Sequence, residues 1–378
     1  MKTTHSRALS ITMSLALLLS PLSPTLAETQ SSSNPPFVNC DGESLRVVPS
    51  DYRIAAMGDL SFSGREAGNA GVFRDFSPYA KSADYVFGNL EGVITERETS
   101  LKKYVPGRSY AFRFPASIAM TLRDLPVHAV TIANNHSNDY GPEGFRDTEM
   151  YLKEAGVHVT GLKGSYSVRE VSGKRVGLIG FGFYSRQNDI NQLEEAVALV
   201  KRVRTITDLL IVTFHGGAEG AEAAFLKDGV EVFLGEERGD PRRFARLVIR
   251  AGADIVVGHG PHVVRAAECV SGKPVIYSLG NFVSAGGLNI RKLANVTALL
   301  EAIFTADNEF KGVRLIPATF GEDRLPRFDP TGRGVHFVNW LGRRGEEELS
   351  QFEPIIFRGY EDRRSDFQRW LSQEGLNP

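Results

Sequence analysis

The sequence predicts an α/β fold, arranged as a four-layer α/β/β/α sandwich. Short apolar runs alternate with amphipathic segments through residues 51–260, the pattern of buried strands joined by helices. Hairpin signals accumulate later in the chain, which requires a mixed sheet or a second sheet packed on the first. Carboxylate, amide and imidazole residues stand just after the apolar runs, where loops of an open α/β sheet converge on ligands.

The elements follow in order. Lys2 and Arg7, an apolar run from Ala8 to Leu19 and the small-residue site Thr25-Leu26-Ala27 make residues 1–27 a secretory signal peptide. The run is short for a membrane span, and an uncleaved anchor is the alternative. Residues 28–50, rich in Ser, Asn, Pro and Thr, are expected as an exposed leader. Strands are expected at 53–57, 84–87 and 127–133, and helices at 117–123, 144–155 and 191–203. Ser172-Gly173-Lys174-Arg175 marks a hairpin joining 168–171 to 176–181. Wholly apolar strands follow at 209–214 and 255–257. Between them a helix starts after Asp240-Pro241 and stops at Gly252. Ser271-Gly272 marks a hairpin between 263–269 and 274–279, and 296–304 pairs with 312–319. The main domain is bounded at 51–320. Residues 321–378, with a helix at 334–349 and a charged tail from 353, form a C-terminal extension of no assigned role.

The 378 residues are 42% hydrophobic and 24% charged, a soluble globular composition. Without residues 1–27 the chain keeps 42 of its 44 basic residues and all 45 acidic ones, a net charge of −3. No basic stripe is present, which argues against nucleic acid as a partner. Cys40 and Cys269 are the two cysteines. In an exported chain they either form one disulfide, tying the leader to the core, or stand as two small apolar residues. His128, inside an apolar run, reads as a core or hydrogen-bonded histidine, and His158 and His336 as structural or surface residues.

Five motifs carry the chemistry: Gly58-Asp59, Gly88-Asn89-Leu90-Glu91, Ala133-Asn134-Asn135-His136, Phe214-His215-Gly216-Gly217 and Gly258-His259-Gly260-Pro261-His262. Carboxylate, amide oxygen and imidazole together suit Mn, Fe or Zn, and the lack of thiolates argues against a closed structural zinc site. The donors exceed one tetrahedral set, so one or two divalent metal ions are expected. The long polar connections at 187–195 and 219–243 are expected as rims or lids.

Extended by Ser137-Asn138-Asp139-Tyr140-Gly141, Ala218-Glu219 and Tyr277-Ser278-Leu279-Gly280-Asn281-Phe282, these motifs resemble the CapA family over residues 54–283. CapA is the capsule-synthesis, poly-γ-glutamate-associated branch of the calcineurin-like metallophosphoesterases. The resemblance implies a metallophosphoesterase-type sandwich with its site at the loop edge. It implies Asp59, Glu91, Asn135, His215, His259 and His262 as metal ligands. His136 resembles the family's acid histidine, which protonates a leaving group, with Asp139 orienting it. Asn89, Arg113, Glu219 and Asn281 are the substrate-side candidates.

The implied activity is exported, metal-dependent hydrolysis of a phosphoester or γ-glutamyl polymer. Its partners would be an anionic polymer or phosphoester substrate and capsule-synthesis membrane proteins. Its location would be periplasmic or extracellular, anchored where the signal segment is retained. The alternative is a non-catalytic protein that binds or assembles the capsule polymer. Three departures from the family stand out. Asp59-Leu60-Ser61 replaces Asp-x-His, which removes one imidazole. Gly260 stands where many relatives have a second histidine, and Gly216 where they often have an aromatic residue. The two glycines are expected to widen the pocket or weaken one metal position.

Overall fold

The computed structural model describes residues 34–69, 71–102 and 110–376, so the expected signal peptide at 1–27 lies outside the described residues. The first sheet begins with β1 (Phe37–Val38), β2 (Ser44–Leu45) and the ten-residue β3 (Tyr52–Ser61). β4 (Tyr85–Leu90) lies parallel to β3. β5 (Val93–Ile94) and β6 (Arg113–Phe114) form a small parallel pair of their own. β7 (Ala129–Thr131) and β8 (His158–Thr160) then continue the first sheet in parallel.

The chain next builds a second sheet. It comprises β9 (Ser167–Val171), β10 (Lys174–Phe181) and β11 (Leu209–His215), then, after a hairpin of β12 (Val232–Phe233) and β13 (Glu236–Glu237), β14 (Ile255–His259), β15 (Ala267–Val270) and β16 (Lys273–Ile276). β10, β11, β14 and β16 run parallel. β11 and the apolar half of β10 are buried along their length, as parallel strands covered on both faces must be. β17 (Asn281–Ser284) returns to the first sheet beside β3, followed by β18 (Thr297–Phe304), β19 (Phe310–Phe320) and β20 (Pro326–Phe328). Among the described residues the first sheet has the order β2-β1-β19-β18-β3-β4-β7-β8, with β17 on β3 and β20 on β19. The second has the order β15-β16-β14-β11-β10-β9.

Strand alternation divides the core. Ala55 and Met57 of β3 face a cluster shared with α1 (Ser77–Ser82), α2 (Ser117–Asp124) and α3 (Gly141–Glu154). Ile54 and Ala56 face the opposite cluster, which holds the second sheet together with α4 (Leu193–Arg204), α5 (Pro241–Ala251), α6 (Arg333–Glu348) and α7 (Arg364–Gln373). α5 begins and ends as expected. Asp240 caps it by accepting from Arg243 N at 3.0 Å, Pro241 takes the first turn, and Gly252 closes it at φ 121°.

Residues 28–50, expected as an exposed leader, divide. Residues 28–33 lie outside the described residues, whereas Phe37 and Val38 are buried in β1, with Val38 opposite Val313 of β19. Two apolar residues are too few to show a strand period, so composition alone read this stretch as loop. Beyond residue 320, β20 joins the first sheet and α6 buries Val335, Phe337, Val338 and Leu341 in the main core. That segment is packed with the rest rather than appended to it. The 353–378 tail contains α7, and β17, in a stretch where the sequence predicts no strand, is a full member of the first sheet. His128 Nδ1 accepts from Val86 N at 3.1 Å, a hydrogen-bonded histidine as expected.

Cys40 and Cys269 form a disulfide across a sequence separation of 229, joining the segment after β1 to β15. Closing so long a loop restricts the unfolded chain. Replacing both cysteines by serine should lower stability by about 2–4 kcal/mol. Urea unfolding of the pair variant, compared with the oxidised wild type, measures this directly.

Candidate metal centre

Strand register brings the polar tips together. Asp59 lies abreast of Asn89 on β4 and of Asn281 on β17, and His215 on β11 lies abreast of His259 on β14. Gly258 lets β14 approach the next strand closely: a Cβ there would meet the Tyr277 carbonyl oxygen at 2.2 Å. Past the tip, His262 adopts φ 59°, a left-handed conformation that costs a non-glycine residue about 1–3 kcal/mol and persists where its contacts fix it.

Those contacts are short. His262 Nδ1 lies 3.2 Å from Asp59 Oδ2 and 3.0 Å from Asn281 Oδ1. Its Nε2 lies 3.5 Å from Glu91 Oε1 and 3.8 Å from Glu219 Oε2. Asp59 Oδ1 accepts from Asn89 Nδ2 at 2.8 Å, with His259 Nδ1 at 3.4 Å and His215 Nδ1 at 4.0 Å. One ligating atom each from Asp59, Glu91 and His262 lie within 4.8 Å of one another.

Burial and charge compete here. Burial opposes ionisation of Asp59, but hydrogen bonding and charge from His259 and His262 outweigh it and hold the carboxyl well below its ordinary range. Burial drives Glu91 well above its own, and the negative charges of Asp59 and Glu219 add to that. His262 feels burial too. The charge of Glu91, the bond to Asp59 and the charge of Glu219 overcome it and push the imidazole up to about 10. Burial leaves His215 neutral, far below the usual histidine range.

The donor atoms fit a cation. Both oxygens of Glu91, Oδ1 of Asn135 and the Nε2 atoms of His215 and His259 are buried without a hydrogen-bond partner among the described residues. Buried polar atoms in proteins are otherwise paired almost without exception. A carboxylate, amide and imidazole set of this kind is one that Mn, Fe or Zn takes.

His136 also approaches Glu91. Its Nδ1 lies 2.7 Å from Asp139 Oδ2 and its Nε2 4.0 Å from Glu91 Oε1. The carboxylate contact assigns the proton to Nδ1 and turns Nε2 toward the centre. Lys102 Nζ pairs with Asp139 Oδ1 at 2.8 Å and lies 3.3 Å from His136 Nδ1. The Phe112 ring covers the imidazole at 4.2 Å between centroids, and Phe112 N donates to Asp139 Oδ2 at 2.8 Å. Burial, partly countered by Asp139, holds His136 below its ordinary pKa.

The substrate-side candidates separate. Asn89 is buried, with its amide nitrogen near Asp59 and His215 and its oxygen accepting from Asn134 Nδ2 at 2.9 Å. It therefore orients ligands instead of facing substrate. Arg113 is exposed and donates to the Arg97 carbonyl at 3.3 Å, with no contact to the imidazole and carboxylate cluster among those described. Asn281 bonds His262, and Glu219 stands at the rim beside it.

Sequence reasoning passed over three residues. Asn134 locks the motif by donating to Asn89 and the Leu90 carbonyl and accepting from His136 N; its place within Asn134-Asn135-His136 was the available signal. Lys102 and Arg238 had none. Arg238 is buried over the Phe183 ring and pairs with Glu219 and Glu236. The two glycine departures meet each other: a Cβ on Gly260 would strike Gly216 N and O at 2.9 and 2.8 Å. Here they close two loops together, and they do not widen the pocket.

A profile described as "Bacterial capsule synthesis protein PGA_cap" matches residues 53–286. The chain is 28% identical over 236 residues to "PGA biosynthesis protein CapA" of Bacillus subtilis, covering 58% of each chain. It is also 28% identical to "Capsule biosynthesis protein CapA" of Bacillus anthracis, covering 56% of this chain and 53% of that one. The match thus spans little more than half the length of these relatives. Among solved structures, a 5'-nucleotidase precursor of Thermus thermophilus is similar at a TM-score of 0.43 and 17% identity, over 80% of this chain and 60% of that chain. A hypothetical protein of the same organism is similar at a TM-score of 0.44 and 15% identity, over 70% and 98%.

Two outcomes are expected. In the presence of a chelator, Glu91→Gln should raise stability by about 1–3 kcal/mol, because the neutral amide escapes the cost of ionising a fully buried carboxyl, a cost that His262 at 3.5 Å offsets only in part. Mn or Zn is expected to raise the Tm of wild type, and the same variant should lose that increase. Metal must also displace the proton held by His262, whose pKa lies at about 10. Apparent affinity should therefore rise with pH throughout the range below that value, which titration calorimetry at a series of pH values would record.

Proposed function

Because the chain belongs to the bacterial capsule synthesis protein family PGA_cap, we propose that it is an exported capsule-biosynthesis protein with a metal-dependent hydrolase site. Its substrate is a phosphoester or a γ-glutamyl polymer. One observation carries this reading: Glu91 Oε1 stands between two imidazoles, His262 Nε2 at 3.5 Å and His136 Nε2 at 4.0 Å. One imidazole belongs to the ligand cluster, and the other is held by a carboxylate on its far nitrogen.

Asp59, Glu91 and His262 would hold the first divalent ion, with Asn135, His215 and His259 as the further donors. A bound ion of this kind supplies Lewis-acid polarisation of the scissile group and a more acidic water. The remaining work falls to the chain. Asp139 accepts from His136 Nδ1, fixes the ring and stabilises its cationic form. His136 Nε2, unprotonated in this neutral tautomer, takes a proton from the attacking water and passes it to the departing oxygen or nitrogen, the ring returning to its neutral form. Lys102 neutralises the outer oxygen of Asp139 and so keeps that carboxylate from holding the imidazolium too tightly. Phe112 excludes water from one ring face. At the rim, buried Arg238 pairs with Glu219 and Glu236 and so holds the Glu219 carboxylate beside His262.

His136→Ala should reduce kcat by about 10²- to 10⁴-fold, the usual contribution of a general acid, while leaving metal content unchanged. Purified protein with metals quantified would be assayed on phosphodiesters and on poly-γ-glutamate. Metal-loaded wild type that binds poly-γ-glutamate but turns over neither substrate would replace the hydrolase reading with polymer binding.

A further inference from the structure

The β12–β13 hairpin carries an apolar edge that the metal centre does not use. Val230, Val232 and Leu234 are 55, 57 and 63% exposed. They alternate with Glu231 and Phe233, which turn inward, and all three are left toward solvent. Glu231 is buried and takes both Arg265 Nη atoms, at 2.8 and 2.7 Å. Phe233 lies under the Arg238 guanidinium at 5.0 Å. Leu234 and Gly235, with φ of 51° and 84°, make the tight turn. Pinned by these contacts, the apolar edge cannot fold back into the core.

A strip of positive charge begins where the hairpin ends. Asp240 caps α5, along which Arg243, Arg246 and Arg250 recur at i, i+3 and i+7 on one face. With Arg242 and the hairpin-base residues Asp228 and Asp240 they line a groove of about 310 Å³. Arg242 is paired with Asp228, and Arg246 with Glu268 at 2.8 Å. Arg243 and Arg250 are exposed and have no acidic partner among the described residues.

We propose that this hairpin and the α5 arginines dock on an anionic lipid surface. Val232 and Leu234, the two nearest the turn, enter the boundary between headgroups and acyl chains, where apolar side chains leave water. Arg243 and Arg250 pair with headgroup phosphates, for which the guanidinium fork is well shaped. Glu237, opposite Val232 in the hairpin register, resists the approach and limits insertion to the tip. A second copy of this chain packed face to face would leave the unpaired guanidinium groups against like charge, so a phosphate-bearing surface is the better complement.

Full-length protein is mixed with phosphatidylglycerol-containing vesicles and, separately, with pure phosphatidylcholine vesicles. Binding to the anionic vesicles is expected to fall about thirtyfold in Arg243→Gln/Arg250→Gln, from the contribution of two surface arginines, and to fall also in Val232→Ser/Leu234→Ser. All substituted side chains are exposed, and circular dichroism melts confirm folding. An environment-sensitive dye on Leu234→Cys reports the hairpin itself, and its emission should shift to the blue only with anionic vesicles. Vesicle binding unchanged by both double variants, or dye emission that does not move, overturns the proposal. A dimer in solution that dissociates in Val232→Ser/Leu234→Ser assigns the face to a second copy and overturns it equally.

Discussion

The centre depends on keeping one carboxylate, Asp59, ionised away from water where the ends of two sheets meet. An isolated buried carboxylate is prohibitively costly and stays charged only with close partners. Asn89 comes from the neighbouring strand of the same sheet, while His259 and His262 come from the end of β14 in the other sheet. The carboxylate is therefore satisfied only when both sheets are formed and in register. A slip of one residue in β3 would turn Asp59 to the opposite face and leave the imidazoles without an acceptor. Stability and site geometry are here the same requirement.

The loops are tied to that core by a second set of charges. Arg265, three residues beyond His262, is fully buried and clamps Glu231, whose Oε2 also accepts from Ala218 N at 2.8 Å. Ala218 precedes Glu219, which Arg238 holds from the other side. The long connection after β11 is thus clamped to the segment that carries His262 through Arg265 and braced within itself by Arg238. Gly216 and Gly260 make this possible by bringing backbone against backbone, with Gly216 N donating to the His259 carbonyl at 3.1 Å. A bulky residue at either position would separate the two loops and move Glu219 away from His262.

What the sequence disclosed follows from the kind of signal each feature leaves. Asp59, Glu91, His136, His215, His259 and His262 sit at or within a few residues of the ends of short apolar runs, so their convergence was visible from strand ends alone. Asp139 was visible because it shares a turn with His136. Lys102 and Arg238 come from polar connections with no period, and only the folded chain shows what they touch. β1 and β17 were hidden for another reason: one is two residues long, and the other follows a motif that reads as turn. The disulfide was one of two open readings, since spacing says nothing about whether Cys40 reaches Cys269. Asn89 illustrates a deeper limit, because residue type and position foretold its presence at the site but not which way its amide would face.

The missing imidazole after Asp59 is also explained by packing. Ser61 is buried, and Gly286 N donates to its carbonyl at 2.9 Å. A Cβ on Gly286 would come within 2.3 Å of Ser61 Oγ, so the 286 backbone already fills the space beside that hydroxyl. An imidazole at position 61 would have to displace this segment, and with it the register of β17 against β3 that places Asn281 beside His262. The serine is thus not a vacant histidine position but part of the packing that seats Asn281. Donor density gathers instead around Asp59, Glu91 and His262, with Glu219 at the rim.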